Sequence, residues 1–452
     1  MDPSSAIPAA VHDLLGTLWS EGHAAYVVGG SLRDLLEGRP ATDWDLTTSA
    51  LPEITESLFP GAVYENQFGT VAVRSRDRAV RDVEITTFRS DHDYADYRRP
   101  HRVEFGDSIE VDLARRDFTV NAMAWGAEPG SEPRFVDPYH GRTDLAARTI
   151  RAVGDPATRF GEDALRMVRA VRLAATLDFT IEPATLAAIG SRAELVSHLS
   201  GERIGAEMRK LLAAPLPSTG LRPLLDTGLL AHLAPELAAQ RGVPQNKVPG
   251  EDLWDHTLRA VDGAVAEPTR IRLAALLHDL GKPSTMADGR FVGHEIVGAQ
   301  QAREVLDRWR WPTTERERVV HLIRNHMFGY VPTWSDAAIR RFIVKVGEDA
   351  LDDLFLLREA DNVGSGNPPD AGRLTEFEGR VAAQLASGAA LDLKALAIDG
   401  SDLMSEFGWK PGPIVGRTLQ RLLDRVIGDP TLNTRDRLLA VARSIAVQDP
   451  GR

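Results

Sequence analysis

Hydrophobic and polar positions along the chain follow two different periods. Short apolar runs typical of strands occur at 25–28, 43–47, 69–73 and 80–88. An amphipathic helix is predicted over 1–22, and a short helix capped by Ser31 is predicted over 32–37. From Asp155 onward apolar residues recur at helical spacing, first over 160–177 and then almost to the end of the sequence. The pattern predicts the fold class α+β, a sheet-containing domain followed by a helical remainder.

Loops rich in proline and glycine predict the domain boundaries. The best later boundary is 240–250 (QRGVPQNKVPG), and a second is 364–370 (GSGNPPD). Four parts are predicted, with bounds 1–147, 148–240, 241–370 and 371–452. Within the first part, 91–102 is charged, aromatic and without periodicity, which predicts a mobile loop.

Composition narrows the class of protein. The 452 residues are 43% hydrophobic and 26% charged, as in multi-domain globular proteins. There is no cysteine, so disulfides, zinc ribbons and thiol nucleophiles are excluded, and a metal must be bound by Asp, Glu or His. We expect no transmembrane helix, no secretory signal and no membrane partner, and therefore a cytoplasmic location.

The net charge of −12 argues against a nucleic-acid partner when it is averaged over the chain. Binding depends on local patches, however, and the sequence contains clusters of basic residues. These are Arg98, Arg99 and Arg102; Arg115 and Arg116; and Arg166, Arg169 and Arg172. Solvated surface charge is the alternative explanation for each cluster.

A glycine pair follows the first predicted strand, and two aspartates lie on the second. Gly29 and Gly30 let the backbone approach a phosphate closely, and the helix start that follows offers N–H donors. Asp43 and Asp45 are two residues apart on a strand, so both carboxylates face the same side. Such a pair indicates a Mg²⁺ site, because hard cations prefer oxygen ligands. The alternatives are a plain turn and two exposed aspartates at a strand end.

Two further segments carry arginines. Arg115 and Arg116 suit a triphosphate, because guanidinium groups bind phosphate oxygens in a fork, and an ion-pair cluster is the alternative. Asp163 and Arg166 are three residues apart on a predicted helix and hence neighbours. A carboxylate only accepts and a guanidinium only donates, so the pair matches cytosine and adenine and mismatches uracil and guanine. An intrahelical salt bridge is the simpler alternative.

Histidines and aspartates recur through the third part, around a His278-Asp279 pair at a predicted helix end. The set is His256, His278, Asp279, His294, His326 and Asp361. Neutral imidazoles with carboxylates suit transition metals such as Ni²⁺, Mn²⁺, Co²⁺ or Fe²⁺. Histidines packed between helices without a metal are the alternative.

These motifs resemble known families. Gly29-Gly30-x-x-Arg-Asp with the D-x-D pair, RRDFTVNA at 115–122 and EDALRMVR at 162–169 resemble the DNA polymerase beta superfamily. Within it, the chain is similar to class II tRNA nucleotidyltransferases (CCA-adding enzymes) and bacterial poly(A) polymerases. His256, His278, Asp279 and Asp361 occur in the order of the HD phosphohydrolases.

The resemblance implies a small nucleotidyltransferase head with a mixed β-sheet and an otherwise all-helical chain. The helical parts would be a neck with the nucleotide-selecting motif and RNA-binding helices, an HD-type body, and a tail that contacts tRNA. Asp43 and Asp45 would hold Mg²⁺, with Glu84 as third catalytic carboxylate. Nucleotide-binding residues would be Gly29, Gly30, Arg33, Arg116, Asp163, Arg166, Arg169 and Arg172. One HD metal would be held by His256, His278, Asp279 and Asp361, and His294 and His326 are candidates for a second.

The implied activity is template-independent addition of C, C and A to the 3′ end of tRNA from CTP and ATP, with no DNA partner. A poly(A) polymerase shares every one of these motifs, and CC-only or A-only enzymes also stay open. The alternative from another class is an HD metal phosphohydrolase whose head only binds.

Overall fold

A computed structural model describes residues 3–448 except 42, 67–68, 75–76, 78–79, 81–82, 95–99, 107 and 246. Contacts within the chain separate it into two compact units. The first is Met1–Ala239 with Asp307–Trp311, and the second is Gln240–Leu306 with Pro312–Arg452. The finer division into head, neck, body and tail stays a prediction.

The strands lie in the first unit, within its described residues. They are β1 (Ala25–Val28), β2 (Trp44–Thr48), β3 (Val63–Asn66), β4 (Thr70–Val73), β5 (Val83–Thr87), β6 (Arg89–Tyr94), β7 (Pro100–Phe105), β8 (Ala124–Ala127), β9 (Arg134–Val136), β10 (Thr149–Ile150) and β11 (Thr180–Ile181). One seven-stranded sheet has the order β3-β4-β5-β2-β1-β8-β9. Only β2 and β5 pair in parallel in this sheet, so the predicted mixed sheet is confirmed.

The segment 91–102 differs from the prediction of a mobile loop. Strands β6 and β7 pair antiparallel from Arg89↔Phe105 to Tyr94↔Pro100. Backbone hydrogen bonds stabilise this hairpin, and its polar sequence has none of the apolar alternation that predicts a strand. Arg98 and Arg99 lie outside the described residues, as does the side chain of Arg102.

The first unit also contains helices among its described residues. They are α1 (Ala9–Ser20), α2 (Gly29–Leu36), α3 (Pro52–Leu58), α4 (Ile109–Ala114), α5 (Gly141–Ala146), α6 (Pro156–Glu162), α7 (Leu165–Leu177), α8 (Pro183–Ser191), α9 (Gly201–Leu212), α10 (Ser218–Asp226), α11 (Leu229–Leu233) and α12 (Pro235–Ala238). The sheet packs on a buried cluster that includes Tyr26, Phe88 and Leu113.

Two helix predictions are wrong in detail. Ser31 does not cap α2, because the helix begins at Gly29 and Ser31 lies inside it, where its hydroxyl donates to the Val28 carbonyl at 3.0 Å. The helix predicted over 160–177 is two helices, since Asp163 is extended (φ −145°, ψ 107°) between α6 and α7. The Asp163 carboxylate accepts the Leu165 N–H at 3.0 Å, which explains why a new helix starts there.

The regular elements of the second unit, among its described residues, are helices joined by loops. Its helices are α13 (Leu253–Gly263), α14 (Arg270–Leu277), α15 (Lys282–Thr285), α16 (His294–Arg308), α17 (Thr313–Asn325), α18 (Asp336–Val346), α19 (Leu351–Gly364), α20 (Leu374–Ala386), α21 (Gly400–Phe407), α22 (Pro413–Gly428) and α23 (Arg435–Gln448). Helix α13 packs against α14 and α19, and the last three helices enclose a core around Leu403, Leu422 and Leu438. No helix among the described residues is both long and apolar enough to cross a membrane.

Candidate active site and metal centre

Three carboxylates lie together at the end of neighbouring strands; we call Asp43, Asp45 and Glu84 the carboxylate edge. Asp43 is exposed just before β2, and Asp45 is half-buried within it. Parallel pairing of β2 with β5 places Asp45 opposite Glu84, so both side chains leave the sheet on the same face. The strand period thus brings carboxylates from two strands to one face, and carboxylate oxygens are ligands that a divalent cation prefers.

Gly29 brings a carboxylate and a guanidinium together. Its φ is +73°, and a Cβ atom at this position would lie 3.0 Å from Asp45 Oδ2 and 3.1 Å from Arg116 Nη1. Ser31 completes the contact between α2 and β2, because its hydroxyl accepts the Asp45 N–H at 3.4 Å. Any side chain at residue 29 would therefore be strained and would separate Asp45 from Arg116.

The charge of Asp45 is finely balanced. Burial raises its pKa and Asp43 raises it further, whereas Arg116, Arg169 and Arg33 lower it. The net shift is upward, so the ionised form is disfavoured unless a further cation is added. An all-oxygen donor set in which two carboxylates repel fits a bound divalent ion.

Arg115 and Arg116 share one buried partner. Asp112 is fully buried and is 2.7 Å from Arg115 Nη2 and 3.3 Å from Arg116 Nη2. Burial alone would raise the pKa of Asp112, but the two guanidinium groups lower it. The ion-pair cluster is therefore real, and its geometry also leaves Arg116 Nη1 beside Gly29. Arg33 is held in the same region by Asn121, whose Oδ1 accepts from Arg33 Nη1 at 2.7 Å.

Asp163 and Arg166 do not pair with each other, so the intrahelical salt bridge between them is wrong. Arg203 Nη2 lies 2.6 Å from Asp163 Oδ2. Arg166 donates instead to Glu162 at 2.5 Å, and its Nη2 donates to the Arg115 carbonyl at 2.9 Å. At the helix break, the Asp163 carboxylate accepts the Leu165 N–H with Oδ1 and contacts Arg203 with Oδ2, so both of its oxygens have partners other than Arg166.

The other two arginines of α7 are paired with buried carboxylates. Arg169 Nη2 is 2.7 Å from Asp117 Oδ2, and Arg172 Nε is 2.6 Å from Glu207 Oε2. The sequence does not identify Arg203 and Glu207 as partners of these side chains. Their only signal is an opposite charge pair at i, i+4 on α9, a spacing that also occurs on solvated helix faces.

Six side chains of the second unit converge; we call His256, His278, Asp279, His294, His326 and Asp361 the HD centre. Their ligand atoms form two groups, one of His256, His278 and Asp361 and one of Asp279, His294 and His326, each within 4.8 Å. Asp279 lies between the groups, since its Oδ2 is 3.1 Å from His278 Nε2 and its Oδ1 is 3.3 Å from His294 Nε2. One carboxylate can therefore serve both groups.

Helix ends orient the imidazoles. The Nδ1 atoms of His278, His294 and His326 contact the carbonyl three residues earlier, at 2.8, 2.7 and 2.7 Å. This contact leaves Nε2 as the ligand atom, as in most metal-binding histidines. His294 Nε2 is buried and has no hydrogen-bond partner among the described residues, and burial with the nearby His278 lowers the pKa of His326 to about 3. A neutral imidazole at His326 and the buried His294 Nε2, 3.3 Å from Asp279 Oδ1 but without a hydrogen bond among the described residues, fit a metal.

Comparison with known proteins defines the class. The poly(A) polymerase head domain matches residues 25–151, a probable RNA and SrmB-binding site of polymerase A matches 178–241, and the HD domain matches 230–364. The chain is thus a nucleotidyltransferase with a polymerase-type head and an HD domain.

Relatives define the family. A CCA-adding enzyme of Levilactobacillus brevis is 36% identical over 428 residues, 94% of this chain and 95% of that protein. One of Streptococcus suis is 31% identical over 433 residues, 96% and 95% of the two chains. The crystal structure of the Bacillus stearothermophilus CCA-adding enzyme in complex with CTP has a TM-score of 0.73 at 29% identity and covers 98% of both chains. The chain belongs to the CCA-adding enzymes.

The buried Asp117–Arg169 pair makes the stability of the first unit depend on pH. Burial alone would raise the pKa of Asp117, but Arg169 lowers it to about 2. Because the pKa is lower in the folded protein, the ionised carboxylate stabilises the fold above pH 4. This contribution to the free energy of unfolding, roughly 2 to 3 kcal/mol, is lost as the pH falls through 2. We expect Asp117→Asn to lower the free energy of unfolding by at least this amount at pH 7, and by less at pH 3.

Urea unfolding at both pH values measures the effect. Asp178→Asn is the control, because Asp178 is 84% exposed in its pair with Arg148 and should change the free energy by less than about 0.5 kcal/mol. An Asp117→Asn deficit that is equal at pH 7 and pH 3 would contradict the assignment.

Proposed function

We propose that the carboxylate edge is the catalytic site at which this CCA-adding enzyme joins C, C and A from CTP and ATP to the 3′ end of tRNA. The observation that carries the proposal is the meeting of Asp45 and Arg116 over Gly29, with Glu84 on the adjacent strand. It combines carboxylates for a cation with a guanidinium for phosphate. The relatives named above support the choice of activity.

Asp43 and Asp45 would hold Mg²⁺, with Glu84 as third carboxylate. Ions at such a site activate the 3′-hydroxyl and stabilise the leaving pyrophosphate. The tRNA 3′-oxygen bonds to the α-phosphorus of the nucleotide, the bond to the β-phosphate oxygen breaks, and the hydroxyl proton passes to solvent. Arg33 and Arg116 bind the triphosphate, which approaches the backbone at Gly29 and Gly30.

We expect Asp45→Asn and Asp43→Asn each to reduce nucleotide addition by more than about 100-fold, because each removes a charged oxygen ligand while keeping the side-chain shape. Incorporation of labelled CMP and AMP into tRNA that lacks its 3′ end, in Mg²⁺, measures the loss. Asp13→Asn, at an exposed position of α1, is the control and should retain full activity. A folded variant with activity within about tenfold of wild type would remove Asp43 or Asp45 from the site.

Asp163 and Arg166 would read the base. Each is fixed by its own partner, Asp163 by Arg203 and Arg166 by Glu162, so the acceptor and the donor are held separately. Cytosine and adenine offer an amino donor beside a ring-nitrogen acceptor, which this arrangement matches. Uracil and guanine would leave a buried group unpaired, at a cost of about 1–3 kcal/mol. Arg169 and Arg172, which lie on α7 with Arg166, would also contribute to nucleotide binding.

Asp163→Ala should increase the incorporation of UTP and GTP relative to CTP and ATP by about tenfold or more, because the selecting acceptor is gone. The ratio is measured in competition, with each nucleotide at equal concentration. Glu194→Ala, which removes an exposed carboxylate of the same unit, is the control. A variant that is uniformly slow but still selective would show that Asp163 only supports the fold.

The rival nucleotidyltransferases are separated by one assay. Incubation of tRNA lacking its 3′ end with each NTP alone and with all four, followed by sequencing, distinguishes CCA from poly(A), CC-only and A-only products. The cytoplasmic location expected from the sequence stays a prediction.

The HD centre supports a second activity, hydrolysis of a phosphate ester with a transition metal. The observation that favours it is the two groups of ligands joined by Asp279. Mixed nitrogen and oxygen ligands suit Ni²⁺, Mn²⁺, Co²⁺ or Fe²⁺, whereas the carboxylate edge suits Mg²⁺.

His278→Ala combined with Asp279→Ala should leave CCA addition in Mg²⁺ largely intact and abolish Ni²⁺-, Mn²⁺- or Co²⁺-dependent hydrolysis of phosphomonoesters or 2′,3′-cyclic phosphates. His321→Ala is the control, since His321 contacts the Val346 carbonyl away from the ligand groups. Metal analysis of untagged protein accompanies the assay. Absence of both bound transition metal and hydrolysis in wild type would mean that the histidines only pack between helices.

A further inference from the structure

A lysine outside the six ligand candidates lies beside the HD centre, on the loop that the sequence indicates as a boundary. Lys247 Nζ is 3.5 Å from Asp361 Oδ1, and the same oxygen is 3.5 Å from His256 Nε2 and 3.8 Å from His278 Nε2. The lysine side chain is 32% exposed, whereas those of His256 and His278 are 2% and 1% exposed. Its ammonium group therefore lies at the rim of the centre, between solvent and the ligand atoms.

The loop that carries Lys247 is anchored on both sides. Pro244 and Asp252 form an antiparallel backbone bridge that closes it. Gln245 accepts a hydrogen bond from Lys282 Nζ at 3.2 Å, which ties the loop to the helix that follows the His278-Asp279 pair. The position of Lys247 is thus set by the fold around it.

The other two cations of the centre are committed to protein groups. Lys282 Nζ is 2.6 Å from Asp279 Oδ2, and its side chain is only 7% exposed. Arg358 donates to the His326 carbonyl and to the Phe328 carbonyl, and its Nη1 is 3.6 Å from Asp361 Oδ2. Lys247 alone of these three combines a carboxylate contact with substantial exposure.

Charge balance decides what Lys247 can contact once a divalent ion is bound. Asp361 is then shared between the ion, Lys247 and Arg358, so its single negative charge no longer offsets the lysine. With Asp279 and Lys282 included, one divalent ion and three cationic side chains face Asp279, Asp361 and, 3.8 Å from His294 Nδ1, Glu295, so the balance among the described residues stays positive. Excess positive charge in a partly buried site is costly, and an anionic ligand removes that cost.

We infer that Lys247 binds a phosphoryl oxygen of a phosphomonoester at the HD centre. A dianionic phosphate matches the positive excess better than a neutral ester or the monoanion of a cyclic phosphate. In hydrolysis of such an ester, a water oxygen bonds to phosphorus, the ester P–O bond breaks, and a water proton ends on the departing alcohol. The inference rests on the proposed HD activity and names the residue that recognises its substrate.

The test uses the full-length, untagged protein with Mn²⁺ and inorganic phosphate as probes, by calorimetry. Lys247→Gln removes the charge and Lys247→Arg keeps it, while Lys345→Gln alters an exposed lysine of α18 as a control. The carboxylate edge also binds metal and phosphate, so binding that survives in His278→Ala is assigned to the head and subtracted.

We expect Lys247→Gln to bind phosphate about tenfold more weakly, the loss of one charged hydrogen bond, yet to bind Mn²⁺ as tightly as wild type or tighter. The affinities for phosphate and for Mn²⁺ should change in opposite directions, because the lysine attracts phosphate and repels the metal. Lys247→Arg should restore most phosphate affinity, and Lys345→Gln should change neither.

Each other outcome overturns the inference in a recognisable way. Weaker binding of both probes by Lys247→Gln assigns the lysine to holding the loop. Unchanged phosphate binding, with Mn²⁺ still bound, removes Lys247 from recognition and leaves the HD activity standing. If wild type binds neither probe beyond the His278→Ala level, the proposed HD activity fails and the inference fails with it.

Discussion

The space beside the backbone of Gly29, next to both Asp45 and Arg116, is the constraint on which the geometry of the carboxylate edge depends. It requires a residue with positive φ and no side chain, because a Cβ atom would lie about 3 Å from both charged groups. Without Arg116, burial and Asp43 would raise the pKa of Asp45 further and reduce its ability to bind a cation. The glycine, the aspartate and the arginine are therefore one functional unit.

Buried acid–arginine pairs extend this unit into the helices. Asp112 holds Arg115 and Arg116, Asp117 holds Arg169, and Glu207 holds Arg172. Breaking such a pair leaves an uncompensated buried charge, which costs about 3–5 kcal/mol. The pairs of Arg169 with Asp117 and of Arg172 with Glu207 thus hold α7 to its neighbours and fix the directions of these guanidinium groups.

Part of the carboxylate edge follows from local rules. Strand period predicts that Asp43 and Asp45 share one face, the family resemblance names Glu84, and the register of β2 with β5 places Glu84 opposite Asp45. The pairing of Asp163 was not predictable from spacing. Its partner Arg203 is forty residues away and belongs to another helix, so a local i, i+3 rule selected the wrong neighbour. The proposed role of Lys247 was not predictable from the sequence either, since the proline and glycine residues around it indicate a linker.

The two centres differ in the charges of the side chains that form them. At the carboxylate edge, acidic groups from two strands are brought close together, and arginines reduce their repulsion without removing the need for a cation. At the HD centre, neutral imidazoles supply the ligand nitrogens and helix-end carbonyls orient them, so few negative charges are present. A divalent ion at the first centre would neutralise carboxylates and, under the proposed function, leave the arginines for the phosphates of the nucleotide. A divalent ion at the second would add to the charges of Lys247, Lys282 and Arg358, so an anionic ligand would stabilise that centre.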